Sequence, residues 1–362
     1  MKFLLPILIV IFLLSCSDEK EIGIEIPNQD NPYIPKQTDN FDPFFQHQWH
    51  LHSEQYFSIN ILGAWEITKG AGVRIAVLDD NIQRNHEDFE AIFVYNVVNG
   101  SNSIEPVRRN VYSHGTAVAG VVSARWNDVG TIGVAPESDM LFIGDPNFFS
   151  EDADVIRALD KAREWGAQVI NCSWGGGLIS ESFESQMRSL YESGVVVVFA
   201  TGNRGWNLDN QQRIDESELP WVIGVSASDR NGMRRRDSDF GSKLDIMAPG
   251  TSILILDLMG ADGSNNSGGL ANENYGISNG TSFAAPIVAG VAALMLAVNP
   301  TLTATQVRQI ITETAQKTGG DEVMYDGNGF SLSHAYGLID AERAVQRARD
   351  WGNGSSITRL FR

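Results

Sequence analysis

Short apolar runs rich in β-branched residues alternate along the chain with segments whose apolar positions recur every three or four residues. Residues 73–78, 140–143, 168–173 and 195–200 are short, mostly apolar runs rich in β-branched residues, the pattern of strands buried on both faces. Between and beside them, residues 118–124, 154–165 and 182–191 carry helical periodicity. Strand, helix, strand repeated in this way predicts an α/β domain with a mainly parallel, doubly wound sheet. In such a sheet the ligand crevice lies beyond the carboxyl ends of the strands, and Asp79, Ser173 and Asn203 fall at or just past such ends. Residues 283–297 are apolar on every side and Ala-rich, which predicts a helix enclosed by the core. There is no internal repeat and no second core pattern. The pattern therefore predicts one domain over residues 42–351, followed by a disordered tail over 352–362.

The N-terminus follows a different pattern. Lys2 precedes an apolar run over residues 3–14, too short to span a bilayer and suited to a secretory signal segment, 1–15. The run ends in Leu13-Leu14-Ser15-Cys16, which resembles the lipobox of bacterial lipoproteins. That resemblance implies cleavage before Cys16 and acylation of its sulfur and new amine; the alternative is an ordinary signal peptide that contains a cysteine. Residues 16–41 hold Pro27, Pro32 and Pro35 with many acids and few large apolar residues, the composition of an extended linker. Ser17-Asp18-Glu19 also resembles the surface-export signals of some lipoproteins. Together these features place the expected domain in the bacterial cell envelope, tethered by lipid on Cys16 to a membrane, expected to be the outer one, on its periplasmic or surface face.

Composition narrows the function classes. The 362 residues are 43% hydrophobic and carry a formal net charge of −18, so a phosphate-binding surface and hence a nucleic-acid partner are not expected. Nothing in the sequence calls for a partner subunit, and a monomer is expected. Cys16 and Cys172 are the two cysteines; if Cys16 is lipidated, Cys172 has no intramolecular partner and reads as a small buried hydrophobe.

The candidate chemistry sits in four strings: Val77-Leu78-Asp79-Asp80, His114-Gly115-Thr116, Ala200-Thr201-Gly202-Asn203 and Gly280-Thr281-Ser282-Phe283-Ala284-Ala285-Pro286. Ser282 opens the apolar helix, where the helix dipole and a free backbone N–H suit a nucleophile beside an oxyanion; a serine there also suits an N-cap. Pro286 is expected in the first turn, where a missing N–H costs nothing. His114 starts a helical stretch beside the small Gly115, and Asn203 follows a buried run. Each residue taken singly has an ordinary reading as cap, turn or solvated polar group.

Taken together, the strings resemble those of subtilisin-like serine proteases. The resemblance covers residues 42–351 and includes Asn171-Cys172-Ser173-Trp174-Gly175 and the string from Ser333 to Ala341. It implies a three-layer α/β/α sandwich and a serine endopeptidase acting on peptides or proteins. Ser282 would be the nucleophile, His114 the general base, Asp79 its orienting carboxylate and Asn203 an oxyanion donor. The Asp79-Asp80 pair, Asp42-Pro43 with Gln48-Trp49, and the C-terminal string look nearest to the kexin and furin branch. Against that branch, the chain stops soon after the matching string, where kexin-like enzymes carry a β-rich domain, and too few residues separate Cys16 from Asp42 for a folding propeptide. Asn81 replaces a glycine and can still visit the left-handed region. Gly176, Gly177 and Leu178 carry no charge, so dibasic selectivity is not expected. Substrate would add as a strand along Ser173, Trp174, Gly175 and Gly176. No cofactor is needed for the chemistry. A structural calcium would match carboxylates at Asp42, Asp88 and Asp128, although the loop around Asp128 is a residue short; the alternative is three surface acids. A catalytically silent binding lipoprotein with the same fold is the competing function, and an acid-active relative is disfavoured by His114 and Asn203.

Overall fold

The computed structural model describes residues 41–106, 113–149, 151–176, 179–260, 263 and 274–352. Cys16, the signal and linker up to residue 40, Gly177, Leu178 and the tail beyond 352 lie outside the described residues.

Seven parallel strands form the main sheet: β1 (Arg74–Asp79), β2 (Phe93–Asn96), β3 (Asp139–Gly144), β4 (Val169–Cys172), β5 (Val196–Ala200), β6 (Ile223–Ser228) and β7 (Ile246–Pro249). Their order is β2-β3-β1-β4-β5-β6-β7, so the chain crosses over between β3 and β4 and the sheet reverses direction of growth around β1. A two-stranded antiparallel ribbon, β8 (Ile253–Leu256) with β9 (Tyr275–Ser278), stands apart from it. The four strand runs read from the sequence are β1, β3, β4 and β5, each within one residue of its expected ends.

The alternation of side chains along each strand sorts the core into two layers. Ile75 and Val77 of β1, Met140 and Phe142 of β3, and Val196 and Val198 of β5 join one apolar cluster. Their neighbours Ala76, Leu78, Leu141, Ile143, Val197 and Phe199 join the other. The second cluster is closed by α3 (Asp152–Glu164) and α4 (Glu181–Glu192) through Val155, Leu159, Phe183, Met187 and Leu190. The first is closed by α2 (His114–Ser123) and α5 (Thr281–Val298), with α1 (Ile61–Trp65), α6 (Ala304–Thr314) and α7 (Ala341–Arg349) packed outside them. Helices on both faces of a parallel sheet make the three-layer sandwich that the sequence implied.

The helix α5 explains its own composition. It is long and apolar enough to cross a membrane by length alone, yet 83% of it is buried within the protein, where a helix surrounded by sheet and helices must be apolar all round. It lies against β1, β4, β5, β6 and β7 as well as α2 and α7, so its N-terminus is fixed relative to the carboxyl ends of the central strands. Cys172 is fully buried on the opposite face of β4 with its thiol free, and burial pushes its titration well above the usual thiol range. Its role as a small buried hydrophobe is what the apolar setting predicted.

Candidate active site

Asp79 is the last residue of β1 and fully buried, while His114 is the first residue of α2. The His114 ring nitrogen Nδ1 lies 2.7 Å from Asp79 Oδ1, which also accepts the Asp80 N–H at 2.9 Å. The helix start that aims His114 is built from side chains. Ser113 is the N-cap and accepts the Thr116 N–H, while its own hydroxyl donates to Asn81 Oδ1 at 2.6 Å. Asp80 adds a second support: its Oδ1 accepts N–H groups from Asn81 at 2.6 Å and from Gly115 at 2.7 Å. Gly115 admits no side chain, because a Cβ there would stand 2.4 Å from the Asn81 carbonyl oxygen and 2.6 Å from Phe142 Cζ. Asn81 can visit the left-handed region in place of a glycine, but it is not among the residues of positive φ. Its side chain is used instead as an acceptor for the N-cap serine.

Electrostatics follow from this packing. Burial pulls the His114 imidazole down, but the Asp79 carboxylate, its hydrogen bond and the Asp80 charge outweigh that, leaving the ring titrating above an ordinary histidine. Burial and the Asp79 charge push Asp80 up to about 7.

Ser282 is the second residue of α5, not its N-cap; Gly280 occupies that place with φ 135°. Pro286 is likewise deeper than expected. As the sixth helical residue it lacks the N–H that would have bonded the Ser282 carbonyl. That carbonyl instead accepts the Ser173 hydroxyl at 2.8 Å, and the Ser282 hydroxyl donates back to the Ser173 carbonyl at 3.2 Å. The pair of bonds locks the end of β4 to the start of α5.

Asn203 completes the corner from the loop after β5. Its Oδ1 accepts the Thr281 N–H at 2.9 Å and the Thr281 hydroxyl at 3.2 Å, so the free first amide of α5 is satisfied by a side chain from another segment. With the oxygen so engaged, the amide Nδ2 faces away from Thr281 and makes no hydrogen bond among the described residues. A Cβ on Gly280 would lie 3.3 Å from that nitrogen, so a side chain there would crowd it. Thus Asp79, Ser173 and Asn203 lie at or just past the carboxyl ends of the interior strands β1, β4 and β5, with Ser282 bonded to Ser173 and the His114 ring 5.9 Å from that of Phe283, the residue after Ser282.

The expected strand-binding segment is only partly a surface. Ser173 is buried, and the Trp174 ring turns into the core, stacking on Phe149 at 5.2 Å and meeting Phe199 edge-on, with its Nε1–H donating to the Leu78 carbonyl at 2.9 Å. Main chain and the two glycines, Gly175 and Gly176, are what remains for a ligand. Charge also reaches this segment from elsewhere in the chain. Glu216 Oε2 accepts the Gly176 N–H at 2.9 Å, with buried Asp215 beside it. The missed signal was local: Asp215-x-x-Glu218 is a capping-box pattern, and the structure has that box around a short 3₁₀ turn, Glu216–Glu218.

The three acids matched to calcium are not gathered as a carboxylate trio; among the described residues no three His, Cys, Asp or Glu side chains form such a group. Asp42 accepts the Asp128 N–H at 2.8 Å and the Asn127 N–H at 3.2 Å, so Asp128 contributes main chain to the contact while its residue is exposed. Asp88 accepts the Thr131 N–H and hydroxyl through Oδ2, while its Oδ1 is buried without a partner. Burial pushes Asp42 up to about 6 and Asp88 up to about 8, each raised further by a neighbouring carboxylate. Two buried carboxylates, one with an oxygen that has no hydrogen-bond partner, are donors that suit a hard cation.

With this geometry in hand, comparison with known proteins is direct. A model of the subtilase family matches residues 70–338. Subtilisin DY from Bacillus licheniformis is 34% identical over 282 residues, spanning 77% of this chain and 92% of that protein. Subtilisin E from Bacillus subtilis (strain 168) is 34% identical over 283 residues, and the match spans 76% of this chain and 66% of that protein. Among solved structures, a protease from Pseudoalteromonas arctica aligns with a TM-score of 0.71 at 28% identity, covering 85% of this chain and 99% of that one. A family match over residues 70–338 and 34% identity across 92% of subtilisin DY have one reading: the chain belongs to the subtilase family of serine endopeptidases.

Proposed function

We propose that hydrolysis runs through an acyl-enzyme on Ser282, with His114 as base, Asp79 as its orienting carboxylate and Asn203 as oxyanion donor. The observation that carries this reading is the 2.7 Å contact between His114 Nδ1 and Asp79 Oδ1 at the same end of the strands as the α5 N-terminus. Asp79 holds the proton on Nδ1, which leaves the other ring nitrogen, Nε2, as the acceptor. On substrate binding the Ser282 hydroxyl exchanges the Ser173 carbonyl for Nε2 and attacks the scissile carbonyl carbon. The proton passes to Nε2, and Asp79 stabilises the imidazolium. The oxyanion is met by Asn203 Nδ2 and the Ser282 backbone N–H, both held before the reaction begins. His114 then returns its proton to the leaving amine, and water repeats the sequence to release the acid. The Asp79-Asp80 pair favours affinity with the kexin-like branch, with Asp80 acting as a support for the α2 start.

The Ser282→Ala variant is expected to keep its melting temperature while losing fluorophosphonate labelling and about 10⁶-fold in kcat. Asn203→Ala should lower kcat by about 100- to 1000-fold with little change in KM through loss of the Nδ2 donor, and should also lower the melting temperature because the Thr281 N–H loses its acceptor. Labelling of Ser282→Ala at the wild-type level would refute the assignment.

The acid limb of the pH profile has a definite sign. His114 works only when neutral and is held above its ordinary value, so kcat/KM should already be falling as pH drops towards 6.5. In Asp80→Asn one of the charges that raises His114 is gone, while the amide oxygen can still accept from Gly115. The limb should move to lower pH, and a limb that stays put or moves up contradicts the role given to Asp80.

We further propose that calcium is held by Asp42 and Asp88 with oxygen atoms of the adjoining loop, and that it serves stability, not chemistry. Chelation should lower the melting temperature of wild type but not of Asp88→Asn, measured by calorimetry with and without added calcium. The mature protein is proposed to be lipid-anchored through Cys16 in the cell envelope, with peptides or proteins as substrates. Cys16→Ser should move it from the membrane fraction to the soluble one, and an unchanged distribution would rule the anchor out.

A further inference from the structure

Beyond Ser282, the main chain of Ser173 continues through Gly175 and Gly176, and the main chain of Ala200 continues through Gly202 and Asn203. Because β4 and β5 are neighbours, these two extensions form the walls of a slot that opens beside the reacting serine. Its far side is acidic. A Cβ on Gly175 would stand 3.4 Å from Glu216 Oε2, 3.6 Å from the Ala200 carbonyl oxygen and 3.7 Å from Asp215 Oδ1. Asp215 and Glu216 are both buried, and Asp239, fully buried, lies on the Gly202 side, where a Cβ would meet its Oδ2 at 2.6 Å. Three carboxylates therefore converge on a space bounded by glycine backbone.

The slot already holds a cation from the chain itself. Arg204 Nε donates to Asp239 Oδ2 at 3.2 Å and its Nη2 lies 3.8 Å from Asp215 Oδ2. The same Asp239 carboxylate accepts the Arg204 and Trp206 N–H groups through Oδ1, which fixes the turn that carries the arginine. The guanidinium lies 4.3 Å from the Trp206 ring centroid, on its face. Both walls touch it: a Cβ on Gly176 would stand 3.7 and 3.9 Å from its terminal nitrogens, and one on Gly202 would stand 3.3 Å from Nη2. The guanidinium thus spans the slot from one wall to the other.

We propose that Arg204 is the specificity-determining residue of this protease, its guanidinium standing where the carboxylates would otherwise receive a basic substrate side chain. The inference rests on the Ser282 mechanism, because it is the peptide residue whose carbonyl meets Ser282 and Asn203 that sends its side chain between the two walls. With Arg204 in place the slot is shortened and presents a guanidinium to the incoming side chain, so small side chains fit and a lysine or arginine meets a like charge. With Arg204 removed, buried carboxylates are left without their cation, and a basic substrate side chain restores it.

The test is a peptide library varied at the residue on the acyl side of the cleaved bond, run on wild type, Arg204→Ala and Arg204→Gln. Fluorophosphonate labelling of each protein comes first, so that a failure to label counts against the Ser282 mechanism and not against the slot. Wild type should favour small residues such as alanine. In labelled Arg204→Ala, kcat/KM for arginine or lysine relative to alanine should rise by about tenfold or more. Arg204→Gln, which keeps a donor for Asp239, should show the same direction if the alanine variant does not fold. Benzamidine, a soluble cation of the same chemistry, should inhibit the variants competitively and wild type weakly. Adding Asp215→Asn and Glu216→Gln to Arg204→Ala should reduce the gain, leaving what Asp239 alone supports. A wild type that already prefers arginine or lysine, an unchanged profile in the labelled variants, or a gain undiminished by loss of these two carboxylates would each overturn the proposal.

Discussion

A helix as apolar as α5 can be buried only if its exposed N-terminal amides and its proline-disrupted carbonyl find partners, because nothing in its own first turn supplies a side-chain cap. Gly280 offers none, Asn203 takes the Thr281 N–H, and the Ser173 hydroxyl takes the carbonyl that Pro286 leaves open. These are structural debts of one helix, settled by residues at the ends of two neighbouring strands. Settling them puts a serine hydroxyl, a free amide nitrogen and a strip of open main chain within one corner. The site is in this sense a by-product of capping a buried helix against a parallel sheet.

The second half of the corner obeys the same logic with different groups. His114 begins α2, and the start of α2 is satisfied by Ser113, Asn81 and Asp80 before any catalytic role is considered. Two aspartates in succession then divide the work. Asp79 points its carboxylate to the imidazole, and Asp80 points its own to the helix amide, so the ring and the element that carries it are fixed by adjacent residues. Both carboxylates are buried, and their fields add at His114, which is why the ring is held above its ordinary titration despite the burial that pulls it down.

Much of this was legible in the sequence because it depends on local pattern. The apolar runs of β1, β3, β4 and β5 and the uniform apolarity of α5 fixed a doubly wound sheet around a buried helix, and chain positions just past strand ends located Asp79, Ser173 and Asn203. Where local pattern met a nonlocal partner, the expectation went astray. Pro286 looked harmless by position and instead frees the Ser282 carbonyl for Ser173. Asn81 looked like a turn residue and instead accepts from the N-cap of α2. Trp174 looked like part of a cleft and packs into the core. The charge near Gly176 comes from Asp215 and Glu216, nearly forty positions further along the chain, and no inspection of the Gly176 neighbourhood could supply it.

The sequence by itself therefore determined the class of fold and the family to which the chain belongs, and it named the groups proposed to do the chemistry, since periodicity, strand ends and short motifs are properties of contiguous residues. The tertiary structure alone decided what surrounds those groups: which orphaned amide Asn203 satisfies, which carboxylates lie behind a glycine wall, and that Arg204 lies across the slot between them. Burial and hydrogen-bond completion are sums over every segment that meets at a point, and those segments are brought together only when the sheet orders β4 beside β5 and sets α5 against both.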